Sequence, residues 1–586
     1  MHDEFFKIPN WQILWNFIQM QAARPFQTDL RNWEWLSLLV CVPAAWIVPG
    51  RWLTWFRLRF HQYAQNRWRA ILTCALLPIV ARVAVLPVVP LQPPSVHDEF
   101  SWLLMADTFV SGRLTNPTHP LWQHFETTHV IQRPTYNSMY PPAFGAMIAL
   151  GDLVHNPWIG VLLSVALMCA ATCWALQAWL PPAWALGGAL VMAAQLGVAS
   201  CWMNGYVGGG PLPVMAGAFL LGATARFVRK AAPGLALTQA VAVVLLVNSR
   251  PFEGTVLSAC CMLYTLWCLR TAQARAGIGW RTLAPAALVL AAGGVFTLYY
   301  SWRVTGDPLK MPYVVNRETY GWPENLAILP PQKVVYRHKI LKDMHEIELS
   351  RRDRYSTLGR MLASWCARYV ELWEFFVGPA LTLPLLFVPF ALRNRKLRVP
   401  FYVVAVMLAL NTLQLMAYPQ HVAAEATVFY LLIAAGLREL YVRAQRLGVR
   451  PERIMAGLVL CVLCSALMWL TLNRLHPKAG AFWEWPHLPF GPARAAIVSK
   501  LEQMPGEHLV VVRYAPTHSP HEQWVYNRAD IDHSKIVWAN SMGARDDKDL
   551  LSYFHDRQAW LVEPDRDRAG FLPLTKETYG TGEGPQ

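Results

Sequence analysis

Twelve apolar runs recur along the chain, over 35–50, 70–90, 158–179, 183–200, 211–227, 234–249, 253–270, 282–302, 370–392, 399–417, 423–441 and 454–473. A bilayer core takes about 20 residues of apolar helix, in a range of about 17–25, and most of these runs reach or approach that length. Composition agrees. Of 586 residues, 54% are hydrophobic and 15% charged, against about 25% charged in a typical soluble domain. Mean hydropathy is +0.24. The 27 Trp, 24 Phe and 20 Tyr suit anchoring at membrane–water interfaces. These figures exclude an ordinary soluble enzyme, a disordered chain, a collagen-like fibre and a secreted disulfide scaffold. The expected fold class is an α-helical polytopic membrane protein of about 12 spans, with large outer loops and a small C-terminal α/β domain.

The formal net charge is +15, but its placement argues against nucleic acid as a partner. The basic residues cluster between apolar runs: Arg51, Arg57, Arg59, Arg67 and Arg69; Arg226, Arg229 and Lys230; Arg270, Arg275 and Arg281; Arg393, Arg395, Lys396 and Arg398; Arg438, Arg443, Arg446, Arg450 and Arg453. With the runs above as spans, all five clusters fall on one side, which the positive-inside rule makes cytoplasmic. The agreement requires 143–154 to be a juxtamembrane or re-entrant helix. The N-terminus shows no cleavable signal pattern, having Asp3 and Glu4 where positive charge is needed, and 9–22 reads as an interfacial segment. All 11 cysteines lie within, at the edge of or just before apolar runs. Cys461-x-x-Cys464 falls inside an expected span, where packing is the better reading than redox or metal chemistry.

The face opposite the basic clusters collects the unusual polar motifs. They are His97-Asp98-Glu99, Tyr140-Pro141-Pro142, Asn204-Gly205-Tyr206-Val207-Gly208-Gly209-Gly210, Asn248-Ser249-Arg250-Pro251-Phe252-Glu253, Thr305-Gly306-Asp307-Pro308 and Tyr418-Pro419-Gln420-His421. Their convergence places the chemistry outside, which is the periplasm if the membrane is a bacterial inner membrane. Three regions are expected: 1–69, an interfacial segment, first span and basic cytoplasmic loop; 70–473, the catalytic membrane region with outer loops 91–157 and 303–369; and 474–586, a periplasmic α/β domain. In the last, helical patterns over 492–503 and 547–556 alternate with strand patterns over 508–514, 535–539 and 558–563.

Asp98 and Glu99 are the leading candidates for chemistry. Pro93 and Pro94 stop the preceding helix, so both acids start a long loop at the membrane surface. A carboxylate there can act as general base on an acceptor bound near lipid headgroups; its bland alternative is a helix cap. His119, His124 and His129, with Glu126, are weak candidates for metal ligands, since their spacing matches no zinc signature. Arg250 has the planar guanidinium suited to a phosphate, or else pairs with Glu253. The glycines around Tyr206 permit close backbone approach, and His421 beside Tyr418 can contact sugar or phosphate. Lys310, Arg317, Lys333, Arg337, Lys339 and Lys342 bias the second outer loop towards positive charge. His518, His521, Glu522, Asp530, Asp532 and His533 gather in the tail without strict ligand spacing. Phosphate-binding Gly-rich loops and a Gly-x-Ser-x-Gly elbow are absent from the sequence.

Asp98-Glu99 opening a large outer loop after an early span, with Tyr140-Pro141-Pro142 closing it, resembles the bacterial membrane glycosyltransferases of the GT-C class. The nearest relatives would be those similar to protein O-mannosyltransferases and to the aminoarabinose transferase of lipid A. The likeness runs from about 70 to 440, is strongest over 97–151, and is weaker at Arg250-Pro251-Phe252-Glu253 and Tyr418-Pro419-Gln420-His421. It implies a polyprenyl-phosphate-linked sugar as donor, an outward active site, and an acidic base that maps to Asp98, with Glu99 as the other candidate. Tyr140, Pro141, Tyr206, Arg250, Glu253 and His421 are the expected substrate-binding residues. A divalent metal is a possible cofactor, membrane lipids are partners, and the acceptor is a glycan, lipid or protein. The extra apolar segment 35–50 and the C-terminal domain depart from the class. The competing reading is a transporter or lipid-linked glycan flippase, which requires ionisable residues at mid-membrane; Arg82 is the one clear candidate. An envelope scaffold is the third.

Overall fold

The computed structural model describes residues 29–207, 209–270, 278–321, 326, 329–416, 418–475 and 490–575; the expected interfacial segment 9–22 and Gly208 lie outside them. The architecture is predominantly helical. Among the described residues, four helices are long and apolar enough to cross a membrane: Arg67–Val85, Pro157–Leu176, Trp280–Thr305 and Pro451–Met468. Glu34–Ala44, Pro211–Phe227 and Pro233–Val247 are apolar but shorter. Prolines set many of these limits. Pro157, Pro182, Pro211, Pro233 and Pro251 each open a helix, at the position where the missing N–H costs nothing and φ is already helical.

Two expectations need adjustment, and a third, the short helix after Tyr140-Pro141-Pro142, keeps its form. The run 370–392 is not one span: helices Leu358–Phe376, Gly378–Leu385 and Val388–Ala391 divide it, with Gly378 at φ 64° between the first two, a conformation that interrupts a helix. The basic stretch after residue 50 is a helix, Gly50–Gln65, from which Arg57 pairs with Glu452 at 2.7 Å. The segment 143–154 forms an 11-residue helix, Pro142–Asp152. At 1.5 Å per residue it covers about 16 Å, about half the hydrocarbon thickness.

The bundle core is built on close helix approach. Gly217 of helix Pro211–Phe227 faces Ala424 so closely that an added methyl group would be driven into the Ala424 carbonyl. Small residues serve this purpose in membrane bundles, where packing rather than water exclusion drives association. Gly217→Ala is therefore expected to cost about 1–3 kcal/mol, read as a lower thermal midpoint in detergent while the exposed Gly234→Ala, with open space around it, leaves the midpoint unchanged.

The first long loop carries three short strands, β1 (Asn116–Pro117), β2 (Val130–Ile131) and β3 (Thr135–Ser138). The C-terminal region carries four more, β4 (His508–Val512), β5 (Ile536–Asn540), β6 (Gln558–Val562) and β7 (Leu572–Pro573), in one sheet of order β5-β4-β6-β7. Strands β4, β5 and β6 are parallel, and β7 is antiparallel to β6. All five residues of β4 are buried, as expected of a central strand covered on both faces. Alternate residues point to opposite faces. Val510, Val512 and Trp538 pack under helix Phe490–Gln503 through Ile497 and Leu501. Leu509, Val511, Val537 and Ala539 share a core with Leu104, Phe125, Val130 and Tyr136 of the first outer loop. The sheet thus rests directly on the loop that carries Asp98.

Candidate active site

A cavity of about 400 Å³ opens where the outer loops meet the helix ends, and its lining includes Asp98, His129, Tyr140, Arg250, Glu348 and Arg351. Pro141, Glu253 and His421 also line it. Six of the eight residues expected to carry chemistry or bind substrate from sequence, namely Asp98, Tyr140, Pro141, Arg250, Glu253 and His421, are brought together here.

Asp98 and Glu99 are adjacent in the first turn of helix His97–Val110, where the N-terminal dipole favours negative charge. Neighbouring helical residues point about 100° apart, so the two acids part company. The Glu99 carboxylate turns inwards and accepts from the backbone N–H groups of Ser95 (2.8 Å), Val96 (3.2 Å) and Tyr206 (3.0 Å). It closes the helix start as a capping glutamate does. Burial raises its pKa, and the three N–H groups offset part of that rise. Gly205 is needed at this contact, since a Cβ there would lie 2.8 Å from Glu99 Oε1. Glu99→Ala is expected to orphan three donors at about 1–3 kcal/mol each, seen as early unfolding and protease sensitivity of the outer loop; an unchanged thermal midpoint would contradict this role.

Asp98 faces the cavity. Its Oδ1 accepts from the Tyr140 hydroxyl, which also lies 3.0 Å from His129 Nδ1. His129 Nδ1 is 3.4 Å from the same carboxylate oxygen, and His97 Nε2 is 3.9 Å from Oδ2. Burial pushes the Asp98 carboxyl up, but His129, His97 and Tyr140 together outweigh it, and the net pKa is below the usual carboxylate range. Burial, with His129 and His521, brings His97 down to about 3 against the opposing pull of Asp98. Burial and then Asp98 raise Tyr140 well above its usual value, keeping it a hydrogen-bond donor. The cluster is rigidly held. Trp102 stacks on Tyr140 at 4.5 Å with 12° between planes. His129 adopts φ 65°, a left-handed conformation costing a non-glycine residue about 1–3 kcal/mol. Ser101 Oγ and the Met139 N–H fix it there by donating to its carbonyl at 2.7 and 3.1 Å.

The positive residues come from elsewhere. Arg250 precedes helix Pro251–Cys268, and the Ala143 N–H donates to the Asn248 carbonyl at 3.0 Å, joining this turn to the Tyr140-Pro141-Pro142 corner. Glu253, Tyr140 and Asp98 all act electrostatically on Arg250, while Glu253 Oε1 accepts from Gln414 Nε2 at 3.0 Å. His421 Nδ1 accepts from the Tyr418 N–H at 3.1 Å. Burial, Arg250 and Arg368 bring its pKa down to about 3, leaving a neutral imidazole. The second outer loop adds Arg317, Glu348 and Arg351, and the C-terminal region adds His521, whose ring stacks on His97 at 6.4 Å.

Other candidates lie elsewhere. Tyr206 is on the Glu99 side and is absent from the cavity lining. His119 Nε2 meets Asp532 at 3.0 Å, and His124 Nδ1 meets the Asn540 carbonyl at 3.0 Å. Glu126 accepts from Arg337 at 2.9 Å and Tyr320 at 3.2 Å. These three residues staple the first outer loop to the second and to the C-terminal sheet. His518 pairs with Asp565 at 2.7 Å, Glu522 with Arg568 at 3.4 Å, and exposed His533 with Asp530 at 3.0 Å. Arg82, in the last turn of Arg67–Val85, donates to Asn204 at 2.5 Å, which ties it to the outer Gly-rich loop. Among the described residues, the group whose atoms lie close enough to hold a metal is His97, Asp98 and His129, all within 4.8 Å. Two imidazoles and a carboxylate suit zinc or another first-row divalent ion. His97 Nδ1 is buried without a hydrogen-bond partner among the described residues, while its Nε2 lies 3.9 Å from Asp98 Oδ2.

Sequence reasoning did not single out Glu348, Arg351 or the pairing of His129 with Asp98. For Glu348 a signal existed. It falls four residues after Met344 and eight after Ile340, both buried on the apolar face of helix Lys339–Ser350, and an acid at such a position needs a reason.

The site is thus a carboxylate–imidazole cluster facing guanidinium groups, set on a helical bundle with membrane-length apolar helices. No family model matches the chain, and no curated protein matches it. Its structural neighbours are GT-C glycosyltransferases. One is ArnT from Cupriavidus metallidurans in the apo state, 14% identical, covering 83% of this chain and 93% of that one at a TM-score of 0.44. The same protein bound to undecaprenyl phosphate is 13% identical, with 84% and 93% covered at 0.44. The archaeal oligosaccharyltransferase AglB from Archaeoglobus fulgidus, in complex with an inhibitory peptide and a dolichol-phosphate, is 10% identical, with 78% and 63% covered at 0.42.

Proposed function

We propose that the chain is a membrane glycosyltransferase of GT-C type, moving a sugar from a polyprenyl-phosphate-linked donor to an acceptor at the periplasmic face of a bacterial inner membrane. The observation that carries this reading is one cavity holding a clustered carboxylate, Asp98, together with Arg250, Arg317 and Arg351. Such a cavity offers a proton acceptor and an anion site side by side. The basic clusters on the opposite face supply the orientation, with about 12 segments spanning and the C-terminal region outside.

In the reaction, an acceptor O–H or N–H approaches the anomeric carbon from the face opposite the phosphate. The new bond forms as the bond from the anomeric carbon to the phosphate oxygen breaks, with inversion. The acceptor's proton passes to Asp98, next to His129 and Tyr140, and the lipid phosphate leaves with an added negative charge. A weakly basic carboxylate suffices because the acceptor becomes strongly acidic as its new bond forms. Arg250 and Arg351, charged at any working pH, stabilise the departing phosphate where charge develops. Should the enzyme take a divalent metal, His97, Asp98 and His129 would hold it, and it would serve as a Lewis acid.

The test is mass spectrometry of envelope lipids, glycans and glycoproteins from a strain lacking the gene, complemented with wild type or with Asp98→Asn. Loss of a sugar-sized mass, restored by wild type alone, supports transfer and names the sugar. Equal restoration by both removes Asp98 from the mechanism and favours a transporter or scaffold.

A further inference from the structure

The second outer loop brings one acid into the cavity, and that acid is only half satisfied. Glu348 lies in the last turn of helix Lys339–Ser350 and is 8% exposed. Its Oε1 lies 3.0 Å from Arg351 Nη2. Its Oε2 is buried with no hydrogen-bond partner among the described residues. Leaving a buried carboxylate oxygen unpaired costs more than the about 1–3 kcal/mol of an unmatched neutral group, so a built site of this kind points to a ligand. The pair is well anchored. Arg351 Nη1 donates to the Tyr418 hydroxyl at 2.7 Å and the guanidinium lies 5.8 Å from that ring's centroid, three residues before His421. Burial raises the Glu348 pKa to about 7, with Arg351 and Arg354 pulling the other way. The carboxylate therefore shares the cavity with cations without being neutralised by an ideal two-oxygen fork.

We propose that Glu348 reads the donor's sugar, its free carboxylate oxygen accepting a hydrogen bond from a ring hydroxyl while Arg351 holds the carboxylate in place. This rests on the reading of the cavity as a lipid-phosphate-sugar site. The chemistry selects the sugar over the phosphate, because a carboxylate oxygen accepts from a hydroxyl and repels a phosphate. Position selects the donor sugar. Glu348 lies beside Arg351, one of the guanidinium groups that would hold the phosphate, and the donor's first sugar is the hydroxyl-bearing group joined to that phosphate. Glu348 acts here in specificity, and the proton transfer stays with Asp98.

The experiment uses the full chain in lipid nanodiscs and follows tryptophan fluorescence. The probes are undecaprenyl phosphate alone and undecaprenyl-phosphate-linked glucose, mannose, galactose and arabinose. Wild type is expected to hold at least one sugar-bearing lipid more tightly than the bare one. Glu348→Gln is expected to keep bare undecaprenyl phosphate affinity within about twofold and to weaken the preferred sugar lipid by about tenfold or more, the loss of a charged hydrogen bond. Glu348→Asp, which keeps the charge but shortens the reach, is expected to fall between. Retained binding of the bare lipid doubles as the check that the variants are folded. Equal sugar-lipid affinity in wild type and Glu348→Gln overturns the proposal. So does an equal loss for bare and sugar-bearing lipid, which makes Glu348 a prop for Arg351, and so does a wild type that shows no sugar preference. A wild type that binds neither kind of lipid overturns the lipid-donor reading itself, and this one with it.

Discussion

Asp98→Asn is expected to leave a folded, inserted protein whose transfer rate falls by about 100-fold or more, as for loss of a general base. Asparagine keeps the shape and keeps an oxygen to accept from the Tyr140 hydroxyl, so the stacked Trp102–Tyr140 pair stays in place. The negative charge is what disappears, and with it the proton acceptor and the electrostatic partner of His129 and Arg250. The rate is to be measured as label moved from lipid-linked sugar to acceptor, with the thermal midpoint taken in parallel. An unchanged midpoint with a collapsed rate assigns Asp98 to the chemistry. Near-normal turnover excludes it. The contrast with Glu99→Ala is part of the prediction: there the midpoint falls first, because that side chain serves three backbone N–H groups.

The second large effect is on stability against pH. Glu348 is brought up to about 7 from 4.5, chiefly by burial. Below about pH 4.5 the carboxyl is protonated in both folded and unfolded loop, and no penalty arises. As pH rises from there through 7, the unfolded loop releases its proton first, and the folded state pays progressively to keep or bury the charge. Stability tied to this group is thus present at low pH and lost on passing pH 7. The full difference is about 3 kcal/mol. Thermal unfolding in detergent at pH 5.5 and pH 8 should show wild type losing more of its midpoint than Glu348→Gln does, with the variant the more stable of the two at pH 8. Parallel slopes would show that Glu348 titrates like an exposed acid. A residue that destabilises its own fold at working pH fits a site shaped for ligand binding.

Much of the site was legible because its residues sit in motifs that punctuate apolar runs. His97-Asp98-Glu99, Tyr140-Pro141, Arg250 with Glu253, and His421 stand at helix ends on one face, and ends of helices on one face meet. The division of labour between Asp98 and Glu99 was not legible, since it turns on the rotation of one helix and on a backbone N–H supplied by Tyr206, 107 residues away. The pairing of His129 with Asp98 depends on a left-handed turn that no local pattern announces for a histidine. Arg351 reads as one more basic loop residue until Tyr418, 67 positions on, is placed beside it. In the fold, apolar length located the helices, but proline and Gly378 set their ends, which is why several expected spans came out short or divided.

The staples between the first outer loop and the C-terminal sheet join residues more than 400 positions apart, as His119 to Asp532 and His124 to Asn540 do. A ribosome makes the Asp98 loop well before it reaches strand β5. Until residues 509–554 are made, the loop lacks nine of the thirteen buried residues of its hydrophobic core and the cavity lacks His521. The order of synthesis therefore makes the Asp98 cluster depend on a segment translated long after it: a nascent chain that holds the helices up to Leu475 still lacks the staples that fix the loop.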